Sequence, residues 1–265
     1  SEQQHEYPCL HIKSNPLHDV DGYIEDHEII DDFCQNIWKG KAEDIVKIIG
    51  LTIRFNEGKL TKLMLIAPSN TGKTAFCQHI DFQTIHMKRL MQGMAADKGI
   101  GTQVINGLKK TGLLLIDETN EALSNDIKNM DNRLYVDQFG SGGGTQDIKL
   151  HFTVLTSTHK TATRTSSDEL YHRFLQVELL ESDIDYILTS SPVFRKNTNR
   201  YTTVLRSYFR WLLKDAITNP DYTEKDTLEP LQAKYRLELN SDVNDMLYDT
   251  AERVIENLKS QAGAY

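Results

Sequence analysis

Residues 63–74 read LMLIAPSNTGKT: an apolar run, Leu63 to Ile66, that meets a proline and gives way to Gly72-Lys73-Thr74. A short unbroken apolar run bounded by turn residues is the pattern of a strand buried on both faces of a parallel sheet. The AFCQHI that follows (75–80) can start a helix. A strand, a small polar glycine-bearing turn and a helix opening on lysine and a hydroxyl together make a phosphate cradle. Successive backbone N–H groups and the helix N-terminus offer positive dipole ends, and a glycine lets the backbone come close. Lysine then places a charge on the β- and γ-phosphates, while the threonine hydroxyl can ligate Mg²⁺. The candidate nucleotide-binding residues are therefore Pro68, Ser69, Asn70, Thr71, Gly72, Lys73, Thr74 and Ala75. A strand–turn–helix with no ligand would read the same way if it stood alone.

It does not stand alone. LLLIDE (113–118) is a second apolar run, and it ends in two acids, Asp117 and Glu118. Both fall at the carboxyl end of a buried strand, where open α/β sheets bind ligands. Beside a phosphate loop, Asp117 is the expected Mg²⁺-shell ligand with Thr74, and Glu118 the base that orients or deprotonates the attacking water. A positioned base implies hydrolysis, and the Asn-Lys-x-Asp pattern of guanine recognition is absent, so ATP is expected over GTP.

Outward from these runs the chain divides into three. Residues 1–60 form an N-terminal helical segment: Ile24, His27, Ile30, Phe33, Cys34, Ile37 and Trp38 recur at helical spacing, with Ile45, Val46, Ile48 and Ile49 after a Lys-Gly-Lys break. Residues 61–185 alternate apolar runs (KLMLIA, GLLLID, HFTVLTST, FLQVELL) with polar or helical stretches, the pattern of an α/β core on a mainly parallel sheet. Residues 186–265 form a C-terminal helical segment, with one amphipathic helix carrying Tyr201, Val204, Leu205, Tyr208, Phe209, Leu212 and Leu213, and a second over Val243 to Leu258.

Composition limits the function classes. The chain has 265 residues, 39% hydrophobic and 26% charged, with a formal net charge of -8. That balance argues against a surface that coats nucleic acid non-specifically, though not against a local basic loop or channel. Three cysteines (Cys9, Cys34, Cys77) without Cys-x-x-Cys suggest neither a disulfide framework nor a zinc site, and fit a reducing compartment. No apolar stretch approaches a membrane span, and the first residues show no signal pattern. The missing initiator Met points to a fragment of a longer protein.

Taken together, these blocks resemble the superfamily 3 helicases of small DNA viruses, phages and related replicons, a branch of the AAA+ ATPases. APSNTGKT resembles that family's phosphate loop, and LLLIDE its acidic strand. FGSGGGTQDIKLH (139–151) looks like the stretch in which a glycine pair precedes a β-hairpin whose lysine touches DNA, which would give that role to Lys149, with His151 close behind. TVLTST (153–158) resembles the sensor strand, ending in Thr158 where the family usually has Asn. ELYHRFLQVEL (169–179) resembles the block whose arginine, here Arg173, acts on the neighbouring subunit's nucleotide. Ala67 stands where the family's first loop glycine is.

The resemblance implies an ATP- and Mg²⁺-dependent DNA helicase or translocase. It would be a homo-oligomer, a hexamer by family pattern, with sites between subunits and single-stranded DNA as partner. A primase, polymerase or origin-binding domain would share the full-length protein, in the cytoplasm or, for a eukaryotic virus, the nucleus. Residue by residue, other readings stay open. Lys149 also reads as a solvated strand charge, and Arg173 as an intramolecular partner of Asp168 or Glu169. The cluster Arg195, Lys196, Arg200, Arg206, Arg210 and Lys214 reads as a hydrated surface or as a face toward DNA or another protomer. An AAA+ loader or remodeller without unwinding, or a non-catalytic ATP-binding assembly domain, fits the same motifs.

Overall fold

Each apolar run becomes a strand covered on both faces. KLMLIA forms β1 (Lys62–Ile66), GLLLID forms β3 (Leu113–Asp117), HFTVLTST forms β6 (Phe152–Ser157) and FLQVELL forms β7 (Leu175–Glu178). With β2 (Gln83–His86) they make a five-stranded sheet in the order β2-β3-β6-β1-β7, every pair parallel. This computed structural model describes residues 22–55, 62–87, 90, 100–117, 132–137, 144–158, 174–179 and 187–235. Glu118, Arg173 and the helix expected over 243–258 lie outside the described residues.

Side chains alternate across the sheet with the period of two that a strand imposes. Leu63, Leu65, Leu113 and Leu115 face one apolar cluster, and Met64, Ile66, Leu114 and Ile116 the other. The second face is covered by α4 (Thr102–Thr111), through Ile105 and Leu108, and by an antiparallel hairpin of β4 (Arg133–Asp137) and β5 (Thr145–Lys149), through Leu134, Val136 and Ile148. The first face is covered by α3 (Lys73–His79) and by helices from both ends of the chain. The N-terminal part is α1 (His27–Asp31), a widened turn over Asp32–Ile37, and α2 (Lys41–Phe55). The C-terminal part is α5 (Pro192–Lys196) and α6 (Thr198–Thr218). One apolar cluster takes residues from all three sequence segments, and the rings of Phe33, Trp38, Phe76 and Phe209 knit the turn, α3 and α6 together with centroids 4.6 to 6.4 Å apart.

The N-terminal apolar face is shifted from the expected one. Ile24 is 43% exposed and His27 is exposed, while Ile29 and Ile30 are buried. The helix begins only at His27, where the Asp26 side chain accepts from the Ile29 N–H, so Ile24 precedes it. The Lys-Gly-Lys break is present as expected, with Lys39 and Gly40 both at positive φ, +44° and +82°. In the basic cluster, Arg200 pairs with Asp26, Arg210 with Asp81, and Arg195 donates to the Ser190 carbonyl. Among the described residues no helix is long and apolar enough to cross a membrane.

Two positions yield tests of this packing. Helices α2 and α6 cross at Gly50, where a Cβ would lie 2.6 Å from the Ala216 Cβ and 3.1 Å from the Leu213 carbonyl oxygen. Alanine normally adds about 1 kcal/mol of helix propensity over glycine, but overpacking costs about 1–3 kcal/mol and here meets backbone and a short side chain that cannot swing aside. Gly50→Ala is therefore expected to lower stability in urea unfolding. His79 is 7% exposed; burial first, then the Arg206 and Arg210 guanidiniums, push its pKa down to about 4. Its stabilising contribution is complete above the unfolded value near 6.5 and is lost as pH falls through 4, because only the unfolded chain takes up the proton easily. Between pH 7 and 4 wild type should lose roughly 3 kcal/mol more stability than His79→Gln.

Candidate functional site

At the carboxyl end of β1 the Ala67 N–H donates to the Ser157 carbonyl at 3.1 Å, so the loop leaves the sheet still paired to β6. It then turns through two left-handed residues, Asn70 at φ +64° and Gly72 at φ +89°, and the Thr71 hydroxyl donates to the Pro68 carbonyl at 3.0 Å. Glycine is needed at 72 for space as well as conformation: a Cβ would come within 3.2 Å of both Phe33 and Leu188. Ser69 and Asn70 are exposed and Ala75 half-buried, whereas Thr71 is fully buried and its carbonyl accepts from the Trp38 indole N–H at 2.8 Å.

Lys73 curls back over its own loop. Its Nζ donates to the carbonyls of Ala67 and Pro68, both at 2.7 Å. Burial pushes its pKa down to about 8, with the Asp117 carboxylate acting in the opposite direction. The next residue, Thr74, donates from its hydroxyl to the two Asp117 carboxylate oxygens at 3.0 and 3.2 Å. Asp117, itself 9% exposed, also accepts from the buried Thr156 hydroxyl. Strand order explains the meeting. β6 lies between β1 and β3, Thr156 is in register with Leu65, and Leu155 is in register with Ile116, one step before Asp117. The sheet thus brings Lys73, Thr74, Asp117 and Thr156 to one edge.

This donor set fits a magnesium–triphosphate complex. Mg²⁺ in phosphate sites takes one or two protein oxygens and leaves its other positions to substrate and water, and the Asp117 carboxylate and Thr74 hydroxyl are hard oxygen ligands already side by side. An ammonium sits one residue away. Thr158, half-buried, follows β6 directly and so lies at the same end of the sheet.

Lys149 and His151 are placed elsewhere. Lys149 is exposed and ends β5, paired with Arg133, whereas the glycine-rich stretch enters β5 at its other end, four residues or about 14 Å away. Lys149 is therefore at the far end of β5 from Gly144: the ladder runs from Asp137–Thr145 to Arg133–Lys149, so the strand carries the lysine away from the glycines. His151 donates its backbone N–H to the Gly112 carbonyl at 2.7 Å, and its ring lies over Gly112. Burial, and then Lys149, hold its pKa below the usual imidazole value. His151 stands at the amino end of β6, about 20 Å from the phosphate-loop end by strand rise, and Lys149 precedes it by two residues.

Two contacts escaped sequence reading. Thr156 sits inside an apolar strand and meets Asp117 only through sheet register; the run of hydroxyls in TVLTST is its one sequence signal. Trp38 reads as a core residue, and its bond to Thr71 spans 33 positions.

The strand order and the loop define a mixed α/β core of the P-loop NTPase type. The fold is shared with two apo structures of the C-terminal region of NrS-1, residues 305–718. One matches with TM-score 0.51 at 12% identity, over 82% of this chain and 53% of that one. The other matches with TM-score 0.51 at 11% identity, over 83% and 54%. At such identity the likeness is one of fold. The chain spans about half the length of these structures. A JCV helicase, at TM-score 0.32 and 12% identity over 76% of this chain and 61% of that one, shares too little geometry to add to this. No protein-family model and no curated protein matches the chain.

Thr156→Val removes a hydroxyl at nearly constant volume and leaves a buried carboxylate one donor short. A hydrogen bond to a charged group contributes about 1.5–3 kcal/mol, so a loss of that size is expected in urea unfolding.

Proposed function

We propose that this chain is the ATP-hydrolysing core of a superfamily 3-type DNA helicase or translocase. The observation that carries the reading is the convergence of Lys73, Thr74 and Thr156 on the surroundings of Asp117 at one sheet edge. In this reading the backbone N–H groups of residues 69–75 receive the phosphates, Pro68 having none to give, and Lys73 exchanges the carbonyls of Ala67 and Pro68 for phosphate oxygens. Thr74 and Asp117 hold Mg²⁺, which supplies charge neutralisation at the phosphates. Thr156 keeps the Asp117 carboxylate aimed at Thr74. Glu118, next in sequence after Asp117, takes the proton of the attacking water. Thr158 senses the γ-phosphate through a hydroxyl, and Arg173 completes the site of an adjoining copy, which makes the working form a ring, a hexamer in this family's pattern. Lys149 contacts DNA phosphates independently of sequence, with His151 behind it.

A second reading, a nucleotide-gated loader or assembly module that parts no strands, is favoured by one observation. Lys149 lies at the far end of β5 from Gly144, with Asp147 beside Arg133 in the same ladder and Asp137 at its other end.

ATPase, DNA-binding and fork-unwinding assays, with the mass of the assembly measured in each state, distinguish the two. Lys73→Ala should reduce ATP turnover by at least about a hundredfold, given that single electrostatic groups at such sites contribute about 10²–10³. Lys149→Ala should leave DNA-free turnover intact while losing DNA affinity and flattening its salt dependence. Equal damage by both variants would count against the DNA role of Lys149, and turnover without strand separation in wild type would select the second reading.

A further inference from the structure

The back of the phosphate loop rests on the N-terminal helical segment. The Trp38 indole is 0% exposed; its Nε1–H donates to the Thr71 carbonyl, and its ring packs on Phe33 and on Phe76 of α3, with centroids 5.1 and 4.6 Å away. A trans peptide is planar, so the Thr71 C=O and the Gly72 N–H point in opposite directions. By drawing that carbonyl toward the core, the indole turns the Gly72 N–H the other way. Gly72 is also where the peptide would turn over most readily, since glycine accepts either sign of φ. A flipped peptide would present a carbonyl oxygen where an anion needs a donor. Phe33 and Leu188, in contact range of any atom added at Gly72, close the remaining space behind the loop.

We propose that Trp38 is a positioning residue of the nucleotide site: its indole N–H fixes the Thr71–Gly72 peptide with the amide facing the phosphates. The inference rests on the nucleotide-binding reading above and adds to it a residue from outside the loop, on a different segment of the chain.

The test uses Trp38→Phe, which keeps an aromatic ring in the core and removes the donor, beside Trp211→Phe, whose ring packs against Tyr23 and Tyr208. Affinity for Mg²⁺–ATP is measured by calorimetry, and Tm for each protein. Trp38→Phe is expected to raise Kd about tenfold, the effect of one lost hydrogen bond at the upper end of its usual range, and to lower Tm while keeping a cooperative transition, because a buried carbonyl loses its donor; Trp211→Phe should leave Kd unchanged. The chain has two tryptophans, so in Trp211→Phe the emission comes from Trp38 alone, and it should shift on saturation with Mg²⁺–ATP. That spectral readout decides the matter even where Trp38→Phe fails to fold. A Kd within twofold of wild type in folded Trp38→Phe, or Trp38 emission indifferent to bound ATP, overturns the proposal. Wild type that binds no ATP overturns the nucleotide reading itself, and this inference with it.

Discussion

The carboxylate of Asp117 sets the constraint that the rest of the structure meets. It ends a strand buried on both faces and is itself nearly buried, a placement that costs free energy unless its oxygens are hydrogen-bonded. Two hydroxyls meet that need from different directions: Thr74 from the first turn of α3, and Thr156 from the adjacent strand β6. Both can arrive only because the strands are parallel and β6 is inserted between β1 and β3, so that loop, carboxylate and hydroxyl emerge at one edge. A sheet with β1 directly beside β3 would lack the strand that carries Thr156.

The helices at the two ends of the chain belong to the same device. Asp32, 2% exposed, accepts from the Ser191 hydroxyl at 2.6 Å and the Tyr201 hydroxyl at 2.9 Å, joining the N-terminal turn to α5 and α6. The same turn sets Phe33 against Gly72, and Trp38 immediately after it holds Thr71. The phosphate loop is thus backed by residues distant in sequence, and the segments read as flanking helices share its apolar core. Such a loop is held in shape by tertiary contacts, which supply most of the stability of short elements like α3.

Legibility in the sequence followed the range of the interactions. Strands β1 and β3 hold unbroken apolar runs, and β6 (FTVLTS) and β7 (LQVE) lie in apolar-rich stretches, so all four could be read directly, whereas β2 (QTIH), an edge strand with one buried residue, carries no such signal. Lys73, Thr74 and Asp117 were legible because the spacing of loop and acidic strand encodes them locally. Thr156 was not, because its role depends on which strand neighbours β3. Where Lys149 falls on its strand was not legible for a related reason: the glycines precede β5, and only the ladder register shows that the lysine lies at the end of β5 away from them. Ile24 keeps helical spacing with Ile30 in the sequence, yet the Asp26 cap starts the helix three residues after it.

The central claim is that this sheet edge binds a magnesium-bound triphosphate. Urea unfolding monitored at increasing Mg²⁺–ATP tests it most directly, since a ligand that binds only the folded state raises stability by about 2.7 kcal/mol at a hundred times its Kd. The expected result is a logarithmic rise that requires ATP and is absent with Mg²⁺ alone. A midpoint that stays fixed up to millimolar Mg²⁺–ATP, in a chain that unfolds cooperatively, would contradict it.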